Sequence, residues 1–141
     1  MNERISPETG AVMKRGVRPM TLSYKGRSLV IDMPGWYADD GITDSIHSGA
    51  DMKVSDRALH RLKAQADGLL EPEEVRRIRR KLRLSQREAG LVIGGGPNAF
   101  QKYEAGDIVV SSAISSALRM LDAYPDALAV LVAHRAELSA A

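Results

Sequence analysis

The chain has 141 residues, with 20 Lys+Arg against 18 Asp+Glu, a formal net charge of +2, and no cysteine. Without cysteine there is no disulfide framework, thiol nucleophile, redox pair or thiolate-bound zinc, so packing and polar contacts must hold the fold. No stretch approaches the roughly 18 apolar residues of a membrane span, and the polar start Met-Asn-Glu-Arg-Ile-Ser-Pro-Glu lacks the apolar core of a signal peptide, so a cytoplasmic protein with no membrane partner is expected.

The first third is rich in glycine and proline and holds the single tryptophan, Trp36. In Met20–Tyr24 and Ser28–Met33 apolar residues recur at every second place, and Lys25-Gly26 between them supplies a turn, so a hairpin is expected there. Pro34-Gly35 is read as the end of the second strand, and Ala38-Asp39-Asp40-Gly41 as an exposed loop.

From Ser55 the period becomes helical. Ser55 is a candidate cap for a helix carrying Leu59 and Leu62, which Gly68 ends. Further helices are expected over about 72–83, 85–93, 97–104, 112–124 and 126–138. The organisation is therefore α+β: a small β-rich domain over 1–54, a linker helix over 55–70, and an all-α five-helix domain over 71–141.

The informative stretch runs from Leu84 to Gly106. Ser85 and Glu88 have the spacing of a capping box, so a helix should start sharply at Gln86. Ala89 suits a close helix crossing, and Gly94–Gly96 permit the tight change of direction of a helix-turn-helix. Pro97 fits the first helical position. Phe100 and Tyr103 should pack inward, while Asn98, Gln101, Lys102 and Ala105 share another face. Asn and Gln can bond two edges of adenine in the major groove, and Lys can reach guanine acceptors or a phosphate. A short polar residue such as Asn98 can also serve only the first helical turn. Gly106 should close the helix.

The preceding helix has a core stripe of Val75, Ile78 and Leu82, surrounded by Arg76, Arg77, Arg79, Arg80, Lys81 and Arg83. From Val75 to Lys102 basic residues face one acidic residue, Glu88, a local +7 in a chain of +2. That is the footprint of a phosphate-binding surface, although a basic run can also be a solvated helix face.

These residues resemble the helix-turn-helix of the Xre/Cro-repressor (lambda-repressor-like) type: Ser85-Gln86, Ala89, Gly94, Phe100, Tyr103-Glu104 and Gly106. Gly94-Gly95-Gly96-Pro97-Asn98-Ala99-Phe100 with Tyr103-Glu104 is closer still to the C-terminal domain of MqsA-type (YgiT-type) antitoxins. Pro19-Met20-Thr21 to Gly26-Arg27, Gly35-Trp36-Tyr37 and the linker helix fit that family's first domain. The resemblance implies an antitoxin of a type II toxin-antitoxin system, not an enzyme. Its N-terminal domain would neutralise a cognate RNase-type toxin, and its C-terminal domain would dimerise and repress the operon. The family's base-reading Asn and its basic partner fall on Asn98 and Lys102, where Arg is more usual in the family. The implied DNA-contacting set is Asn98, Lys102, Gln101, Gln86, Arg87, Gly96 and Ser112. A helix-turn-helix regulator whose first domain is a sensor or scaffold, with no toxin partner, is the alternative.

The family holds structural zinc through C-P-x-C-G and a later C-x-x-C. Here the corresponding places read Ser6-Pro7-Glu8-Thr9-Gly10 and, by position, Ala38-Asp39-Asp40-Gly41, so a metal-free first domain with no cofactor is expected, held by the hairpin and by Trp36. His47, His60 and His134 lie far apart without metal-ligand spacing, and an enzyme built on Asp39, Asp40, Asp44 and His47 has only proximity in sequence behind it. Ser112 is the expected cap of the helix that follows Ser111, with Ser115 and Ser116 as further hydroxyls near its positive end. The last two helices are apolar enough to suggest a symmetric dimer seam on Leu118, Leu121, Leu128 and Leu131.

Overall fold

Alternation of apolar and polar residues builds two long antiparallel strands, β2 (Val12–Tyr24) and β3 (Arg27–Tyr37). The turn between them places Lys25 at φ 47° and Gly26 at φ 76°. Two consecutive left-handed residues form the tight turn that matches strand twist, and glycine takes the second without steric cost. The register runs from Tyr24 opposite Arg27 to Lys14 opposite Tyr37, so the hairpin is longer than its apolar alternation suggests. A short strand β1 (Glu3–Ile5) pairs antiparallel with β2 to give the order β1-β2-β3. Residues 2–140 of this computed structural model are described.

Pro34-Gly35, expected to end the second strand, lies inside β3. Proline is tolerated here because β3 is an edge strand. Gly35 is required by a close approach: a Cβ there would lie 2.7 Å from the His47 ring. That ring is fixed, with Nδ1 donating to the Pro34 carbonyl at 2.8 Å and Nε2 bonded to Ser45 Oγ at 2.7 Å. Both ring nitrogens are thus occupied, and His47 has no free base for chemistry with Asp39, Asp40 or Asp44.

Helix α1 (Gly49–Asp67) starts six residues before Ser55. Its first turn is closed by a reciprocal pair: Asp51 N–H donates to Ser48 Oγ at 3.1 Å, and Ser48 N–H donates to the Asp51 carboxylate at 2.8 Å. Ser55 instead donates to the Met52 carbonyl, so Ser48 holds the role expected of Ser55. Asp51 also receives a two-pronged bond from Arg15 at 2.8 and 2.9 Å. Arg15 and Arg4 each lie over the Trp36 ring, at 4.4 and 4.2 Å. Met13 and Met33 supply the fully buried side chains of this part. Gly68, at φ 68°, ends α1 as expected.

The chain forms two compact units, Met1–Leu62 and Lys63–Ala141, with α1 crossing from one to the other. The second unit holds α2 (Pro72–Lys81), α3 (Gln86–Val92), α4 (Ala99–Ala105), α5 (Ser112–Ala123) and α6 (Leu128–Ala140), with a tight turn at Pro125–Ala127. Helix α2 has Pro72 at its start, Glu73 and Glu74 in its first turn and Arg79, Arg80 and Lys81 in its last, an order that suits the helix dipole. Val75, Ile78 and Leu82 are buried as the stripe requires, and Phe100 and Leu118 are fully enclosed with them.

Candidate nucleic-acid interface

The helix-turn-helix is built by local chemistry. Glu88 N–H donates to Ser85 Oγ at 3.0 Å and Ser85 N–H donates to the Glu88 carboxylate at 3.2 Å, so the capping box forms and α3 starts at Gln86. Ala89 is fully buried. The closest approach, however, is at its neighbour: a Cβ on Gly90 would lie 1.8 Å from the Gly96 carbonyl oxygen. Gly94, Gly95 and Gly96 have φ of 141°, 97° and 90°, all disfavoured for residues with a Cβ.

Helix α4 begins at Ala99, with Pro97 and Asn98 forming the approach, two residues later than expected. Asn98 occupies the capping position but its side chain makes no capping bond. Asn98, Gln101, Lys102 and Ala105 are all exposed, as their spacing requires. Phe100 and Tyr103 turn inward and meet edge to face, centroids 5.5 Å apart. Gly106 closes α4 in the left-handed conformation at φ 80°.

The orientation of α4 is fixed by Glu104, whose side chain is 1% exposed. Arg79 of α2 grips it from two nitrogens at 2.7 Å each, and Arg76 adds a 3.4 Å contact. Burial would push the Glu104 carboxyl up, but the bonds from Arg79 and Arg76 reverse this and hold it below the usual carboxylate range. Arg79 also donates to the Leu84 carbonyl at 3.0 Å, tying in the α2–α3 turn. Helices α2 and α4 thus meet at one carboxylate, and the same arginine holds the turn into α3. The aromatic-Glu pair marked Glu104 in the sequence, but its partners lie in a separate segment that spacing does not connect.

This network revises the reading of the basic segment. Arg76 and Arg79 serve Glu104, while Arg77 and Lys81 converge on Asp122 at 2.7 and 2.9 Å. Both acidic partners lie beyond Lys102, outside the window that counted +7. Four cations of that segment, Arg80, Arg83, Arg87 and Lys102, make no ion pair among the described residues and are exposed. Arg83 stands at φ 59°, a left-handed position ending α2 without glycine.

Other expected contacts fall differently. Gln86 is partly buried. Gly96 uses its N–H on the Gly90 carbonyl at 3.2 Å, which takes that donor from any phosphate. The cap of α5 is Ser111, whose Oγ accepts from Ile114 N–H at 3.1 Å, and Ser112 is the exposed first residue of the helix. Ser115 is buried and accepts from Leu70 N–H at 3.1 Å, so it faces the interior.

The four leucines expected at a dimer seam divide between the core and a surface groove. Leu118 and Leu121 are 0% and 4% exposed, and Leu128 and Leu131 pack against the same core. Beside them Met120, Tyr124 and Val130 are 68%, 71% and 70% exposed. Met120 and Val130 line a shallow apolar groove with Leu121, Leu131, Ala117 and Ala127. Helical spacing identifies an apolar set but not which of two such faces the core takes.

No helix among the described residues is long and apolar enough to cross a membrane. The sequence model of a family described as the antitoxin component of bacterial toxin-antitoxin systems, MqsA, matches residues 6–131. The antitoxin MqsA of Escherichia coli (strain K12) is 30% identical over 120 residues, covering 82% of this chain and 89% of that protein. With a match over most of its length, this chain belongs to the MqsA family: it is an antitoxin component of a toxin-antitoxin system, not an enzyme, and its family partner is a cognate toxin.

Proposed function

We propose that this antitoxin binds operator DNA as a cytoplasmic dimer through α3 and α4, represses its own operon, and neutralises an RNase-type toxin through its first unit. The observation that carries the DNA reading is the outward face of α4: Asn98, Gln101 and Lys102 are exposed together on a helix whose opposite side is anchored by Phe100, Tyr103 and Glu104. Asn98 and Gln101 present the amide pairs that read adenine, and Lys102 supplies a cation for guanine or phosphate. Arg87 and Arg83 flank this face as phosphate contacts, and Ser112 at the start of α5 is a further donor.

Met120, Tyr124 and Val130, with Leu121 and Leu131 in the groove between α5 and α6, offer an apolar seam for a second copy. A twofold dimer sets two recognition helices about 34–36 Å apart, one DNA turn. For the toxin, the hairpin beyond Gly16 exposes Val17 and Val30, apolar side chains of the kind that partner surfaces cover.

Titration of labelled DNA from upstream of the gene, against random DNA at several salt concentrations, tests the reading. A preference of at least about 10³ for the upstream DNA is expected, and equal binding overturns sequence-specific repression. Co-expression with the adjacent reading frame should yield a stable complex retained by a chain carrying Val17→Glu and Val30→Glu less well than by the parent.

A further inference from the structure

The zinc that the family resemblance implies can be tested against the residues that occupy its place. At the start of the chain Ser6 Oγ accepts from Glu8 N–H at 3.3 Å and Thr9 N–H at 3.2 Å, and Thr9 Oγ1 accepts from Ala11 N–H at 3.3 Å. In the 38–46 loop Asp40 Oδ1 accepts from Ile42 N–H at 3.0 Å and Thr43 N–H at 2.9 Å. These are two turns of one design: a side-chain acceptor at the first position takes the N–H groups two and three residues on. The turns meet, with Thr9 Oγ1 and Thr43 Oγ1 2.8 Å apart and the Thr43 hydroxyl on Asp40 Oδ2 at 2.5 Å. The second turn is formed by Asp40 and Thr43, three apart, and overlaps the Ala38–Gly41 stretch.

Zinc does not fit this set. Closed structural sites take thiolate and imidazole, whereas three of these four groups are hydroxyls. The fourth, Asp40, already has both oxygens bonded, and Thr43 with the Ile42 N–H draws its carboxyl below the usual range. No group of three or more His, Cys, Asp or Glu among the described residues could hold a metal ion.

We infer that Ser6, Thr9, Asp40 and Thr43 form a metal-free polar clasp that ties the first turn to the 38–46 loop at the place where the family uses a zinc cross-link. Two i, i+3 turns of the same acceptor pattern are joined by one hydroxyl–hydroxyl bond across 34 residues, which serves as the link without a metal. Closing a loop of that length is what a cross-link contributes to a small β unit. The first unit would then hold its shape independently of metal supply.

The test uses the full chain and reads the thermal unfolding of its single tryptophan, Trp36, which lies in the first unit, together with zinc content by elemental analysis. The parent chain should carry no stoichiometric zinc, and EDTA or added zinc chloride should leave its midpoint unchanged. Thr9→Val and Thr43→Val should each lower the midpoint by about 2–8 °C, and the double variant should fall by less than the sum because the two hydroxyls share one bond. A chain with Ser6→Cys, Thr9→Cys, Asp40→Cys and Thr43→Cys should bind one zinc and become sensitive to EDTA. Stoichiometric zinc in the parent, unmoved midpoints in the valine variants, or a folded four-cysteine chain that takes no zinc each overturns the clasp. If the four-cysteine chain does not fold, the valine series decides alone.

Discussion

Glu104→Gln keeps the size of a buried side chain and removes its charge, leaving the Arg79 guanidinium against a neutral amide. Arg79 is itself only 12% exposed on its side chain, and the carboxylate is 1% exposed, so neither group can turn to water without disturbing α2 or α4. Breaking a buried pair by removing one partner costs about 3–5 kcal/mol. Arg79 keeps its bond to the Leu84 carbonyl and Arg76 is half exposed, which places the expected cost near the lower end, about 3 kcal/mol. A helical unit of this size is stable by roughly 4–12 kcal/mol, so the variant would fold with little reserve. In urea its midpoint should fall by about 1–3 M at an unchanged slope. Because the Glu104 carboxyl lies below its ordinary value in the folded chain, its contribution is present above the unfolded carboxyl value and disappears as pH falls through the lower folded one. The parent should therefore lose stability below about pH 4.3 more steeply than the Gln variant. Replacing both members, Arg79→Met with Glu104→Leu, should restore much of the loss, since an apolar pair leaves no buried charge. A cost below about 1 kcal/mol for Glu104→Gln, or strict additivity in the double replacement, would refute the Arg79–Glu104 clamp.

Gly90→Ala should destabilise the second unit by about 1–3 kcal/mol in the same urea assay, because its methyl would meet the Gly96 carbonyl. Leu118→Ala should cost about 2–5 kcal/mol without altering dimer affinity, whereas Met120→Glu with Val130→Glu should leave the monomer fold intact and abolish the dimer in light scattering. Arg87→Ala should reduce the dependence of DNA affinity on salt by about 1 per protomer, while Arg77→Ala, whose charge is already held by Asp122 and Glu74, should leave that dependence nearly unchanged.

The parts legible in the sequence were those set by neighbours in the chain. Lys25-Gly26 turned the hairpin, Ser85 and Glu88 opened α3, Gly106 closed α4, and Phe100 with Tyr103 entered the core, each through contacts within a few residues. What spacing could not show depends on segments meeting in space. Glu104 and Asp122 absorb half of the basic run from outside it. Pro34-Gly35 continues a strand because that strand lies at an edge and His47 packs against it. Asp51 serves in a capping pair for α1 because the Asp in the third position reaches back to Ser48, seven residues before Ser55. The two apolar faces of α5 carry similar residues, and only the position of α2 and α4 decides that Leu118 is inside and Met120 outside.

The central claim is that α4 reads bases, and the most direct measurement is the affinity of Asn98→Ala for the operator and for random DNA under one salt condition. The side chain makes no capping bond and is exposed, so stability should be unchanged while operator binding weakens by about 1–3 kcal/mol and random binding hardly moves. Equal loss on both DNAs, or no loss on either, would contradict base reading by this helix.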